Sequence, residues 1–250
     1  MAVIVKYGEI AIKGQNRKEF VKKLIRNIKD CLKKNNIDFD SIVSFRGRII
    51  VNTENKCPCL KYVYGIANFS YSNKIETSLD AIKIETLKHY KKGTFRISAK
   101  RIDKAFIPSD EINREVGSYI IEKTGAKVNL SKPETTIWID VFKDRCYIYS
   151  SKIQGLKGLP VGIEGTVAVL LEDKDSVKAA KLIMKRGCGI VLIQIAGVDW
   201  SALKKLAYGF KIKVLKEIPH YIKVVVTSEK LKNFKKRDID KVVLRPLIAF

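Results

Sequence analysis

The chain has 250 residues, 46% of them hydrophobic and 30% charged, enough for globular domains with real cores. No apolar run reaches membrane-spanning length, and the five scattered cysteines have no framework spacing, so a membrane protein and a disulfide-stapled module are excluded. Forty-nine Lys and Arg against 26 Asp and Glu give a formal charge of +23, spread along the chain. A fold that is basic throughout points to a polyanionic partner, RNA or DNA first. Lysine enrichment from a hot habitat would bring glutamate with it, and here the acids do not keep pace. The opening MAVIVKYGEI enters strand-like sequence directly, so no leader is expected. Reduced cysteines suggest a cytoplasmic setting.

Residues 1–56 read as a small βαββ unit. Val3-Ile4-Val5 forms a strand. A helix opens at KGQNRKEF and runs to about Asn35, with Phe20, Leu24, Ile28, Cys31 and Leu32 on its apolar face and lysines on the other. Ile42–Phe45 and Arg48–Val51 are short strands joined by an Arg46-Gly47 turn. Residues 57–165 read as a second domain of mixed α and β. It begins with an irregular link, CPCLKYVYGIANFSY, holding one short helix. A helix over Leu79–Tyr90 comes next. A half-buried strand from Thr94 ends in Ala99-Lys100-Arg101. The segment Pro108-Ser109-Asp110-Glu111 starts a helix that stops near Gly125, and strands Thr135–Phe142 and Cys146–Lys152 flank a Lys143-Asp144 turn. Cys57-Pro58-Cys59 has no second pair and the two histidines stand alone, so no metal site is expected.

Residues 166–250 alternate strand and helix, the pattern of a doubly wound parallel sheet. Thr166–Leu171 is a continuous apolar run, as for a strand buried on both faces. A helix over Val177–Arg186 follows, with Asp175 and Ser176 as cap candidates and Gly187 as its stop. A loop from strand into helix is the usual seat of a phosphate, because free N–H groups and the helix dipole point at it. This one, Glu172-Asp173-Lys174-Asp175-Ser176, carries three carboxylates and no glycine.

Taken together, YGEIAIKGQNRKEF (7–20), SAKRIDKAF (98–106), INREVGSYI (112–120), KIQGLKGLPVG (152–162), AAKLIMKRG (179–187) and VLRPLI (243–248) make the chain resemble the tRNA 4-thiouridine synthetases. That resemblance implies a ferredoxin-like domain at 1–56, an RNA-binding α/β THUMP domain at 57–165 and a shortened PP-loop ATPase domain at 166–250. In the family the first two hold the acceptor stem of tRNA and its single-stranded end. The third adenylates a uridine with ATP, and a cysteine persulfide delivers sulfur. The RNA-contacting candidates carried over are Lys13, Asn16 and Arg17, then Lys100, Arg101 and Lys104. Arg46 and Arg48 are added from the hairpin, and Lys235, Lys236 and Arg237 from a charged loop. The family's SGGxDS is degenerate here: only Asp175-Ser176 remains of it, and TSEKLKNFKKRDIDK lacks the sulfur-bearing cysteine. Cys188 reads as a small apolar residue, and no catalytic residue is assigned. The expectation is a tRNA-binding protein without adenylation and without a cofactor. The alternative is an active sulfurtransferase that takes ATP in an altered way or relies on a partner. A tRNA-modifying enzyme, a sulfur-donor protein and a second copy of the chain are further candidate partners; a membrane is not.

Overall fold

The computed structural model describes residues 1–104, 106–234, 237 and 239–249. Contacts divide the chain into two compact units, each discontinuous in sequence. Met1–Val5, Phe39–Lys56 and Phe69–Ile153 form the first, and Lys6–Asp38, Cys57–Asn68 and Gln154–Phe250 form the second.

The first unit is built on an eight-stranded sheet. Its strands are β1 (Ala2–Lys6), β2 (Ser41–Phe45), β3 (Arg48–Asn52), β4 (Asn68–Glu76), β5 (Phe95–Arg101), β6 (Thr135–Val141), β7 (Arg145–Tyr149) and the short β8 (Ile153–Gln154). The order is β2-β3-β1-β4-β7-β6-β5, with β8 beside β4. Strand β4 begins within the link expected to be irregular and runs five residues past its end. Its NFSYSNKIE is polar, yet Ser70 and Ser72 are buried, and Ser72 Oγ donates to the Ala2 carbonyl at 2.8 Å. The polar composition hid a central strand because small hydroxyls can bond the backbone they pack against.

Two helices, α2 (Leu79–His89) and α3 (Ser109–Thr124), cover one face of this sheet. Ile82 of α2 and Ile112, Val116 and Ile120 of α3 pack on Phe95, Ile97, Ile137 and Ile139. Ser78 Oγ caps α2 by accepting the Ala81 N–H, and Gly125 in the left-handed region ends α3. The opposite face is curled. Arg48 Nε on β3 reaches Asp140 Oδ2 on β6 at 2.8 Å, although three strands stand between them. A flat sheet would hold them about 19 Å apart at the usual strand spacing. The β2–β3 hairpin therefore folds over β6 and β7, and Ile50, Phe142 and Tyr147 share the small core beneath it.

The second unit holds α1 (Arg17–Lys34), entered through 3-10 turns at Glu9–Ile12 and Gly14–Asn16. Its apolar face is buried, as the spacing predicts. Gly209 receives its polar edge: the Gly209 N–H donates to Asp30 at 2.7 Å and the Gly209 carbonyl accepts from Lys23. At φ +79, with Asn27 Oδ1 lying 1.8 Å from where a Cβ would sit, that position admits only glycine.

A five-stranded parallel sheet completes the second unit, in the order β11-β10-β9-β12-β13. The strands are β9 (Thr166–Leu171), β10 (Gly189–Gln194), β11 (Lys213–Leu215), β12 (Val224–Val226) and β13 (Val242–Leu244). Val167, Val169 and Leu171 join one core cluster with α4 (Asp175–Lys185) and α5 (Ser201–Lys204), while Ala168 and Leu170 join another on the far face. Burial on both faces explains the unbroken apolar run of β9. Cys188 is half-buried against the first of these clusters. The strand order reverses between β9 and β12, which is where open α/β sheets place their ligands.

Candidate functional site

Two places carry the chemistry expected from the sequence. One lies at the curl of the first unit, the other at the switch point of the second.

At the curl, a groove of about 750 Å³ runs between the β2–β3 hairpin, the loop after β5 and the β6–β7 turn. Its wall is aromatic. Phe45 and Phe142 stand with ring centroids 5.3 Å apart, and Phe142 meets Tyr147 edge-on at 5.4 Å. Its rim carries four cations against two carboxylates: Arg46, Lys104, Lys143 and Arg145, all exposed, line it with Asp103 and Asp144. Arg46 sits at φ +40 beside Gly47 at φ +83, a tight hairpin turn. That turn lets the Arg46 guanidinium donate to the Ile102 carbonyl at 3.1 Å. Asp103 fixes the opposite side by accepting the Lys143 N–H at 2.8 Å.

The five predicted residues of this unit separate by environment. Arg46 and Lys104 line the groove. Lys100 is exposed near the end of β5. Arg101 is half-buried, its guanidinium spent on the Phe106 carbonyl at 2.8 Å. Arg48 is corrected: it is 8% exposed, and its guanidinium bonds Asp140 at 2.8 and 3.4 Å. Tyr149 also donates to that carboxylate at 3.4 Å, and burial together with the neighbouring charge holds its phenol in the O–H form. A buried, paired arginine holds the curl and has no surface to offer RNA. The sequence reading missed Phe45, Lys143 and Arg145; Phe142 and Tyr147 back the groove but are 6% and 1% exposed, so Phe45 is the ring with a free face there. The signal was present in FKDR (142–145), cations flanking a turn beside an aromatic residue. In the second unit, Asn16 and Arg17 are exposed where α1 begins, and Lys13 pairs with Glu164 at 3.6 Å.

At the switch point, the loop after β9 is occupied by its own side chains. Ser176 Oγ accepts the N–H groups of Glu172 and Asp173 at 3.1 and 3.2 Å. Asp173 Oδ1 accepts the Ser176 N–H at 3.0 Å. The capping expected of Asp175 and Ser176 thus falls to Asp173, because α4 begins at Asp175 and the reciprocal bond needs a partner three residues earlier. Glu172 takes both ends of the Arg237 guanidinium at 2.6 and 2.8 Å. Arg237 Nε also bonds Glu229, whose other oxygen accepts from Arg245 at 2.6 Å. Lys230 pairs with Asp175 at 2.6 Å. Burial pushes the Glu229 carboxyl up, but hydrogen bonds from Arg237 and Arg245 outweigh it and hold the group below its ordinary range. Arg237, expected to touch RNA, is therefore internally paired; Lys235 and Lys236 lie outside the described residues. Among the described residues no group of three or more His, Cys, Asp or Glu side chains is placed to hold a metal ion. No helix among them is long and apolar enough to cross a membrane.

Fold and sites together define a protein that couples a curled α/β sheet bearing a basic aromatic groove to a parallel α/β unit. Family models for the ThiI ferredoxin-like domain and the THUMP domain match residues 2–70 and 73–151. A probable tRNA sulfurtransferase of Thermococcus kodakarensis is 33% identical over 85% of the chain, and one of Geobacillus kaustophilus is 39% identical over 85%. The chain spans 62% and 58% of those two relatives' length. The crystal structure of PH1313 from Pyrococcus horikoshii matches 100% of the chain and 95% of its own length, with TM-score 0.89 and 31% identity. A 4-thiouridine synthetase crystallised with RNA and ATP shares the fold at TM-score 0.78, covering 100% of the chain and 81% of that protein at 22% identity. The chain belongs to the ThiI-like, tRNA 4-thiouridine synthetase family.

Proposed function

We propose that the chain is a tRNA-binding member of this family in which ATP-dependent adenylation and persulfide transfer are lost. One contrast carries the reading. The cations of the groove are exposed, whereas Arg237, Lys230 and Arg245 around the loop after β9 are bonded to carboxylates. Exposed cations beside the exposed Phe45 ring suit single-stranded RNA, whose phosphates pair with the charges while a base packs on that ring. The naming of relatives as probable tRNA sulfurtransferases supports tRNA as that RNA. The groove takes the unpaired end of the molecule, with Arg46, Lys104, Lys143 and Arg145 on its backbone. Lys100, Lys13, Asn16 and Arg17 extend the contact surface.

The loop after β9 does not fit a polyphosphate. A pyrophosphate would need the N–H groups that Ser176 Oγ already holds, and it would meet Glu172, Asp173 and Asp175. A like-charge contact at about 4 Å costs on the order of 4 kcal/mol at an effective dielectric near 20. The sequence between Val226 and Val242 offers no cysteine to carry sulfur. Titration calorimetry with ATP tests this directly. No binding heat is expected below millimolar nucleotide, for the chain as it stands or for Ser176→Ala. A micromolar dissociation constant abolished by Ser176→Ala would sink the claim. The names of the relatives favour a second reading, an active sulfurtransferase that depends on a partner for sulfur or for ATP.

A further inference from the structure

The thiols of the second unit hold chemistry that neither the groove nor the loop uses. In the sequence, Cys57 and Cys59 have no second pair. The fold gives Cys59 a partner. Its 3-10 turn, Pro58–Tyr62, packs on α1, and the Cys59 and Cys31 side chains are hydrogen-bonded to each other. Cys31 is fully buried and Cys59 is 6% exposed. The N–H groups of Cys59 and Leu60 also point at the Cys59 sulfur. The bond from Cys31 and these two donors hold the Cys59 thiol below its ordinary range, against the opposing effect of burial. The neighbouring thiols differ. Donation to Cys59, and then burial, pushes Cys31 up, while burial pushes Cys57 up to about 11. Behind Cys31, the Tyr208 hydroxyl donates to its sulfur and accepts from Asn35 Nδ2 at 3.3 Å.

We propose that Cys59 and Cys31 form a peroxide-responsive dithiol, in which Cys59 reacts with a hydroperoxide and Cys31 resolves the product as a disulfide. The Cys59 thiolate attacks one oxygen of hydrogen peroxide. The O–O bond breaks, Cys59 becomes a sulfenic acid, and the departing oxygen takes a proton and leaves as water. The Cys31 sulfur then attacks the Cys59 sulfur. The S–O bond breaks as the S–S bond forms, and the Cys31 proton joins the departing hydroxide as a second water. The two thiols thus supply the two electrons that reduce one peroxide to two waters. A small oxidant fits so little exposure better than a disulfide does, because exchange needs a foreign sulfur aligned with the attacking one. A metal ion fits less well, since among the described residues no third ligand joins the pair.

The test treats the reduced full chain with a small excess of hydrogen peroxide, blocks the remaining thiols with N-ethylmaleimide, and maps the unreduced digest by mass spectrometry. The expected product is a cross-link between Cys31 and Cys59 that dithiothreitol reverses. Cys59 should be consumed about tenfold faster than Cys57, in line with its greater thiolate character. In Cys31→Ser the reaction should leave Cys59 carrying oxygen, as sulfenic or sulfinic acid. Cys59→Ser should form no cross-link, and Cys57→Ser should behave as the wild type does. The wild-type map decides the matter even where a variant is poorly folded by circular dichroism. A cross-link through Cys57 would overturn the proposal. So would consumption of all five cysteines at similar rates, or oxidation of Cys59 only after urea has unfolded the chain.

Discussion

Replacing Arg48 by Ala lowers the unfolding free energy by about 3–5 kcal/mol, the usual loss when one partner of a buried ion pair is removed. The value sits at the high end of single substitutions because Asp140 is left behind. That carboxylate is 2% exposed, and the Tyr149 hydroxyl at 3.4 Å is too weak a partner to replace a guanidinium. Truncation also opens the curl, since Arg48 is what ties β3 to β6 across three intervening strands. Urea denaturation monitored by circular dichroism measures the loss. The double variant Arg48→Met/Asp140→Leu should recover most of it, because an apolar pair of similar volume removes the uncompensated charge. A loss below about 1 kcal/mol for Arg48→Ala would mean that the pair is solvated and the curl is held otherwise.

Removing the groove's charge has the second large effect, on binding and not on stability. Arg46, Lys104 and Lys143 are exposed, so Ala at all three leaves the core intact. On single-stranded RNA ending in an unpaired run, each lost phosphate contact flattens the slope of log affinity against log salt by about 0.7, and the triple variant should flatten it by about 2. Phe45→Ala is expected to weaken the same RNA by about 1–3 kcal/mol with the slope unchanged, since stacking does not release counterions. Phe45 is 40% exposed, so its truncation spares the fold. Filter binding across a salt series separates the two effects. A triple variant with the wild-type slope would place the RNA elsewhere.

Much of this architecture is legible in the sequence, and the failures have physical reasons. The apolar run of Val167–Leu171 could only be a strand buried on both faces, and the spacing of Phe20, Leu24, Ile28 and Cys31 could only be a helix with one wet side. Strand β4 was not legible because two of its three buried positions, Ser70 and Ser72, are serines, and Ser72 bonds the neighbouring strand's backbone; Phe69 is the third. Arg48 and Arg46 look alike in the hairpin sequence, two cations flanking one glycine. The alternation of a strand sends Arg48 inward to Asp140, while the turn leaves Arg46 outside. The partner, 92 residues further along the chain, could not be read from local pattern. The acidic loop was readable as unfit for phosphate. Its neutralisation by Arg237 and Lys230 was not, because those cations come from the loop after β12 and reach it only through the parallel pairing of β9 with β12.

We infer that RNA binding outlived adenylation in this chain. It is tested most directly by incubating the full chain with unmodified tRNA and ATP, following bound tRNA and released pyrophosphate in one reaction. The expected result is tRNA binding that weakens steeply with salt, and pyrophosphate no higher than in a blank without protein. Stoichiometric pyrophosphate release that requires tRNA would contradict it.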